Sequence, residues 1–379
     1  MNHRDTATQK MIGTTCESHA RSSYRYVRSL WLALCLCVSA VNLSCNDKPT
    51  DPRTLVPADT IIYLETNDLA AALEPVYSNS IAKPDLSQLK GMQAAIAVMA
   101  IEISEKKVSD EESMAEIKPR FVAVIDTHAW HFQAVRFAEE QLGAIVEKFY
   151  GSKPQIQDPE RNGGRDITWT ESDGRKAFAF VRGGIVYFSN DRESLDKCLG
   201  IKDVAATLAS ANKVQPTPPD TLASGYVSQQ GIGQIADVIA LRAASASEDA
   251  KVRSGVASIL PQLVRELVTE IRWTERRSGE QVSDVYQVSM PENVVAALNG
   301  TAAGELHERL KNSVIKLLDQ DKSSPAVKAE IADIVTRAML GEDTSGAKLT
   351  ASGIEQTTIS QSGKLAGLIH GMSEAAAEK

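Results

Sequence analysis

Tight turns between short apolar segments limit what this chain can fold into more than any other feature. Ser172-Asp173-Gly174 and Arg182-Gly183-Gly184 separate three segments rich in β-branched and aromatic residues, and Ser278-Gly279 separates two more. Strands joined by turns of this length can pair only as antiparallel neighbours. Helical periodicity fills much of the remaining chain, so the sequence predicts an α+β fold with antiparallel sheets covered by helices. The three segments around the turns at 172–174 and 182–184 would form a meander that helices cover on one face.

The order strand, helix, hairpin occurs twice, on either side of a segment with three prolines. This order predicts two pseudo-repeated halves, 55–212 and 222–379, separated by a proline-rich linker at 213–221. The second half would end in additional helices. The periodicity and caps predict helices at 69–76, 132–149, 232–241, 306–318, 325–340 and 365–372. Between the predicted strands 94–103 and 120–126, residues 105–116 read as a charged turn.

The first 45 residues have the composition of a targeting segment. An apolar run at 30–41 follows three arginines and ends before several polar residues. Its twelve residues are fewer than the roughly 20 that a membrane-spanning helix needs. Residues 1–45 are therefore predicted to be a secretory signal peptide rather than a permanent transmembrane anchor.

The end of this leader is similar to a bacterial lipoprotein box. Ser44 is a small residue before Cys45, and a polar tether with prolines follows at 46–54, whereas Asn42 and Leu43 depart from the usual pattern. The sequence predicts that Cys45 becomes the lipidated first residue of the mature chain and supplies the membrane affinity. The alternative is ordinary cleavage near Ala40 or Ser44, which would release a secreted protein.

Removal of the leader changes the charge and the cysteine count. The whole chain has a formal charge of −8, but residues 1–45 carry five basic and two acidic side chains, so the remainder is at −11. This acidic balance argues against nucleic acid as a partner. Four of the five cysteines fall in the leader. Cys198 alone remains in the body, so no intramolecular disulfide is possible, and its apolar setting predicts a buried small side chain.

One cluster has the residue types of a metal site. Asp126, His128 and His131 follow a predicted strand, and they would be the zinc ligands if the protein were a metal-dependent hydrolase. The interpretation favoured by the sequence is that they form the join to the next helix, beside Trp130. No metal ligand and no catalytic residue is therefore assigned.

No other motif supports a cofactor. Gly231 and Gly233 lie where a dinucleotide fingerprint would place them, but no second strand with a ribose-binding acid follows, so helix capping is predicted instead. The paired acids 111–112 and 139–140 fit a charged loop and a solvated helix face. The chain has no nucleophile elbow, phosphate-binding loop or His-Glu-x-x-His motif.

Two short motifs of the mature chain are Leu55-Val56-Pro57-Ala58-Asp59-Thr60-Ile61-Ile62-Tyr63-Leu64-Glu65 and Arg182-Gly183-Gly184-Ile185-Val186-Tyr187-Phe188-Ser189, the second followed by a helix start at 191–195. In both, the chain resembles an uncharacterised family of bacterial exported or membrane-anchored proteins that begin with a Pro-Ala-Asp-Thr strand. The resemblance implies export and an α+β repeat architecture, and it transfers no catalytic residue.

The sequence thus predicts a non-enzymatic cell-envelope lipoprotein that faces the periplasm or the exterior and has a binding or assembly-support role. Its partners would be the membrane, through the lipid anchor, and an envelope protein. The alternative is a carrier or sensor that holds an apolar ligand between the sheet and the helices at 306–318 and 327–340.

Overall fold

The computed structural model describes residues 50–77, 86–107, 113–150, 152–156, 163–172, 174–246, 249–300, 305–320, 323–341 and 346–365. The leader 1–45, Cys45, the tether residues 46–49 and most of the predicted closing helix 365–372 lie outside these residues.

All twelve strands join in one antiparallel sheet, so the predicted α+β class is confirmed. The strands are β1 Ile62–Thr66, β2 Gln93–Lys107, β3 Ser113–Asp126, β4 Gln155–Ile156, β5 Arg165–Thr170, β6 Lys176–Arg182, β7 Ile185–Ser189, β8 Thr221–Val227, β9 Glu270–Ser278, β10 Gln281–Ser289, β11 Ala347–Thr350 and β12 Gly353–Ser360. Their order across the sheet is β11-β12-β10-β9-β8-β1-β2-β3-β7-β6-β5-β4.

The centre of the sheet is the pair β1–β8, with Tyr63 opposite Tyr226. Moving outward from β1, the order is β2, β3, β7 and β6, and outward from β8 it is β9, β10, β12 and β11. Both sides therefore repeat one arrangement: a first strand, a hairpin, and a last strand that returns beside the hairpin. We call residues 55–212 the first half and residues 222–365 the second half.

Nine α-helices occur in the part of the chain that the structure describes. They are α1 Leu69–Tyr77, α2 His131–Arg136, α3 Gly143–Tyr150, α4 Arg192–Leu199, α5 Gln229–Ala246, α6 Ala250–Leu267, α7 Glu292–Leu298, α8 Leu306–Leu317 and α9 Pro325–Leu340. Sequence-readable caps begin several of them: Asp191 accepts a hydrogen bond from Ser194 N, and Ser324 accepts one from Val327 N. No described helix has both the length and the apolar content to cross a bilayer.

The two faces of the sheet are covered differently. Along β2 and β3, side chains alternate between two cores, because successive residues of a strand point to opposite faces. Ile96 and Ile125 pack beneath α1 and α2, whereas Ala97 and Val124 pack on the other face with Leu195 of α4. A third core joins α5–α9 to the second half of the sheet. The meander of the first half is thus covered on both faces, not on one as predicted.

Several predicted boundaries were wrong. A charged turn was expected at 105–116, but β2 continues to Lys107 and β3 already begins at Ser113. Only 108–112 lie between the two strands, and they are outside the described residues. The long helix predicted at 132–149 is interrupted by a π-helical segment, Phe137–Leu142. Helices α6 and α7 were not predicted.

Candidate functional site

An apolar cavity of about 40 Å³ lies beneath α1, on the face of the sheet that also carries α5–α9. Its ceiling is the helix face with Leu69, Ala72 and Leu73, which are spaced to share one side of a helix. The lining residues are Leu64, Glu65, Thr66, Leu69, Ala72, Leu73, Ala94, Ala95, Ile96, Ala123, Ile125, Ala223, Trp273 and Leu365.

Alanines at three strand positions account for the space. Ala94, Ala123 and Ala223 lie on β2, β3 and β8, where larger side chains would fill the gap below the helix. A volume of this size holds a few water-sized groups and is far smaller than the roughly 300 Å³ of a site for a drug-sized ligand.

Two buried carboxyl groups lie on the same sheet face, beside the cavity wall. Glu275 on β9 and Asp284 on β10 are directly opposite in the strand register and are 0% and 1% exposed. Trp273, two residues before Glu275, donates its indole N–H to Asp284 Oδ1 at 2.8 Å. The acids thus share this face with a residue that lines the cavity.

The two carboxyl groups also hold the last described turn of the chain. Glu275 Oε2 accepts a hydrogen bond from Leu365 N, and Asp284 Oδ2 accepts one from Lys364 N, both at 3.0 Å. Leu365 itself lines the cavity. Carboxyl groups at the first backbone N–H groups of a helical turn satisfy donors that have no partner within the turn.

Burial raises the pKa of both acids, and that of Glu275 reaches about 8. Asp284 adds to the rise at Glu275, because two carboxylates so close cannot both ionise without a large cost, whereas the Leu365 N–H opposes it. Glu275 Oε1 is buried and has no hydrogen-bond partner among the described residues. A proton on one of the two carboxyl groups would give it one. The pair therefore holds one proton near neutral pH, which can bridge the two carboxyl groups.

The structure brings together two residues of the predicted hydrolase cluster, Asp126 and His128, and turns the third, His131, to another partner. Asp126 Oδ1 accepts from His128 N at 2.9 Å and lies 3.3 Å from His128 Nδ1, while its Oδ2 accepts from Thr50 N. His131 turns to the Gly183 carbonyl, with its Nδ1 at 3.2 Å. No group of three histidine, cysteine or acidic side chains that could hold a metal is found in the described ranges. The three residues form the connection from β3 to α2, and His131 holds this connection against the Gly183-Gly184 turn.

Cys198 is buried in α4, as predicted. Desolvation, with a smaller contribution from Asp59, raises the pKa of its thiol to about 12, so the thiolate that reactivity requires is disfavoured.

The two glycines of the fingerprint-like motif lie inside α5, so the predicted capping role was wrong. A β-carbon on Gly231 would come within 2.4 Å of the Ile61 carbonyl oxygen, and one on Gly233 would meet the Arg265 side chain. Both glycines serve close packing of the helix instead.

The helices predicted to enclose an apolar ligand are tightly packed. Leu310, Val314 and Ile331 are fully buried in the third core together with neighbours from α6. The described cavity lies instead under α1, a helix that was predicted from the sequence without any role in ligand binding.

The Glu275–Asp284 pair was also missed. A two-residue turn at Ser278-Gly279, as predicted, would pair residue 275 with 282, whereas the observed turn is Gly279-Glu280 and pairs it with 284. Two acids facing each other next to apolar strand positions are unusual, because like charges in such a pair repel.

Comparisons with known proteins identify little. No family model matches the chain, and no curated protein matches it. A solved structure entitled "Structure of crystal form I of TP0453" aligns with a TM-score of 0.36 and 7% identity over 86% of this chain and 99% of that one.

Proposed function

We propose that the protein is a non-enzymatic bacterial cell-envelope lipoprotein, anchored through Cys45, whose folded body binds or supports an envelope partner. The observation that best supports this is where the body begins. Thr50 is already held by Asp126, and Arg53 donates to the Val214 carbonyl at 2.7 Å. Only four residues separate Cys45 from Thr50, so an acylated cysteine would hold the body close to the bilayer.

Acyl chains on Cys45 would supply the membrane affinity, and the body would face the periplasm or the exterior. The resemblance to exported proteins with a Pro-Ala-Asp-Thr strand agrees with this location. Plain secretion after cleavage near Ala40 or Ser44 is the competing proposal.

Replacement of the anchor cysteine tests the proposal. Cys45→Ala, or globomycin treatment, should leave the precursor unprocessed, so that the acylated mature N-terminal peptide of the untreated wild type is no longer detected. Cys37→Ala, which changes a cysteine inside the apolar run, is the matched control and should be processed normally. Normal processing and unchanged membrane fractionation of Cys45→Ala would contradict the lipid anchor.

The alternative function is that of a carrier or sensor for an apolar molecule. The cavity under α1 has room only for a ligand of a few heavy atoms, which weighs against it. If the alternative holds, extraction of the purified protein into organic solvent, followed by mass spectrometry, should release an apolar molecule. Ala223→Leu would fill the cavity and abolish the signal, whereas Ala351→Leu, at an exposed turn, would not. Absence of such a molecule from the wild-type protein argues against a carrier.

A further inference from the structure

Two large aromatic side chains are exposed at the join between β3 and α2. Trp130 is 57% exposed and Phe132 is 69% exposed, at the start of a helix whose other apolar residues are mostly buried. Exposed single apolar residues are common, but two bulky ones within three residues are a surface feature that needs an explanation. We call the surface formed by these two side chains the aromatic corner.

The aromatic corner is fixed to the sheet. Thr127 Oγ1 donates to the Gly184 carbonyl at 2.7 Å, and His131 contacts the Gly183 carbonyl. A β-carbon on Gly184 would come within 2.7 Å of the Ala129 carbonyl oxygen, so the join and the turn are in close contact. The turn that carries Arg182 therefore lies beside the join, and the guanidinium group stacks over Phe180 at 5.3 Å.

The chain that leads to Cys45 ends at this corner. Thr50 N donates to Asp126 Oδ2 at 3.0 Å, and Trp130 is four residues beyond Asp126, which is at most about 14 Å along the chain. Five peptide steps from Thr50 to Cys45 span at most about 17 Å. An acylated Cys45 therefore cannot hold the bilayer surface far from the aromatic corner.

The chemistry of the corner fits a membrane surface. Tryptophan is enriched at bilayer interfaces, where its ring is partly in the apolar region and its N–H remains with the headgroups. A phenylalanine adds apolar area that can be buried at the boundary between headgroups and acyl chains.

We propose that Trp130 and Phe132 insert into the headgroup region of the membrane that holds the lipid anchor, and so fix the orientation of the body on it. This inference rests on the proposed lipoprotein function. The contact makes the end of β3 at Asp126 face the bilayer, while Ile103 of β2, opposite Ile117 of β3, lies nine residues back along the strand, or about 30 Å from that end.

Tryptophan fluorescence tests the contact directly. Of the three tryptophans that remain without the leader, Trp169 is buried and Trp273 lines the cavity, so Trp130 reports on the surface. The lipidated full-length protein is reconstituted into phosphatidylethanolamine–phosphatidylglycerol vesicles with or without bromine on the acyl chains near the headgroup. We expect the brominated lipid to remove the emission of Trp130, about a third of the total if the three rings emit equally.

Matched variants locate the signal. W130F should abolish the bromine effect, and Phe132→Ser should weaken it. W130F/I103W carries its surface tryptophan on β2, at a position that is 43% exposed and far from the Asp126 end, and its emission should be the same in both vesicles. If it is quenched as strongly as the wild type, the body has no fixed orientation and the proposal is wrong.

Two failures are distinguishable. If the protein floats with the vesicles but Trp130 is not quenched, the membrane contact is wrong and the lipid anchor stands. If the protein carries no acyl group and does not float, the proposed function fails, and this contact fails with it. A photo-crosslinking phenylalanine analogue at position 132 that attaches to a protein and not to lipid in intact cells would overturn the membrane assignment in favour of a protein partner.

Discussion

The two halves of the sheet share one strand order but differ in how many faces are covered. In the first half, β2 and β3 have packed side chains on both sides, such as Ile125 on one face and Val124 on the other. In the second half, β10 and β12 bury one face and expose residues such as Gln287 and Ile359 on the other. The same topology therefore supports a three-layer and a two-layer arrangement.

The difference follows from the residue pattern of the strands. Residues 94–101 and 121–125 are continuous apolar runs, which is typical of strands buried on both faces. Residues 281–289 alternate between polar and apolar except at Asp284 and Val285, and such alternation is typical of strands with one solvated face. The extra layer comes from α4 and from Val56, Leu208 and Val214, which lie outside helices and strands. Covering of the second face is thus a property of the half nearest the proposed anchor.

The largest expected effect tests the two covered faces directly. Ile125→Ala should lower the free energy of unfolding by about 2–5 kcal/mol, and Val124→Ala on the opposite face by about 2 kcal/mol. In the second half, Ile354→Ala on the buried face should be costly, whereas Ile359→Ala on the open face should change stability by less than about 0.5 kcal/mol. Urea unfolding of the four variants checks this. A neutral Val124→Ala or a costly Ile359→Ala would remove the contrast between the halves.

A second contrast concerns one buried glutamate in each half. Glu65 on β1 has a pKa raised by burial, but it accepts hydrogen bonds from Tyr63 and Thr217, and Arg53 lies nearby. Glu275 on β9 lies against a second carboxyl group, and its pKa rises from 4.5 to about 8. Glu275 binds its proton more tightly in the folded state than in the unfolded state, so protonation of Glu275 stabilises the fold. This contribution is fully present below about pH 4.5 and is lost as the pH rises towards 8.

Glu275→Gln should prevent the loss of stability at high pH, since the amide stays uncharged and can donate a hydrogen bond to Asp284. The variant should gain stability over the wild type at pH 9, by up to several kcal/mol at about 1.4 kcal/mol per pKa unit. Thermal unfolding between pH 4 and pH 9 measures the slopes. Glu65→Gln is the control and should change the slope less. Parallel curves for Glu275→Gln and the wild type would show that Glu275 is ionised in the folded protein.

Much of the fold was predictable because it depends on local signals. The Ser324-Pro325 helix start and the Asp191 cap are found where the sequence placed them, and the turn predicted at Ser278-Gly279 lies one residue later, at Gly279-Glu280. Helix α6 was missed because its apolar positions are shared between two neighbouring helices and Pro261 lies inside it. The cavity was not predictable, since it depends on alanines of three strands that meet only in the assembled sheet.

The smallest effect tests the contact at which the halves meet. α5 belongs to the second half, but Gly231 lies against the Ile61 carbonyl just before β1 of the first half, and an added β-carbon would come within 2.4 Å of that oxygen. Because backbone must move, Gly231→Ala should cost about 1–3 kcal/mol. Gly233→Ala is the matched control in the same turn, where the methyl group would meet the end of the flexible Arg265 side chain at 2.7 Å. The higher helix propensity of alanine should offset that displacement, so Gly233→Ala should be neutral or stabilising by less than about 1 kcal/mol. Equal effects of the two substitutions in urea unfolding would mean that α5 does not need its close approach to the first half.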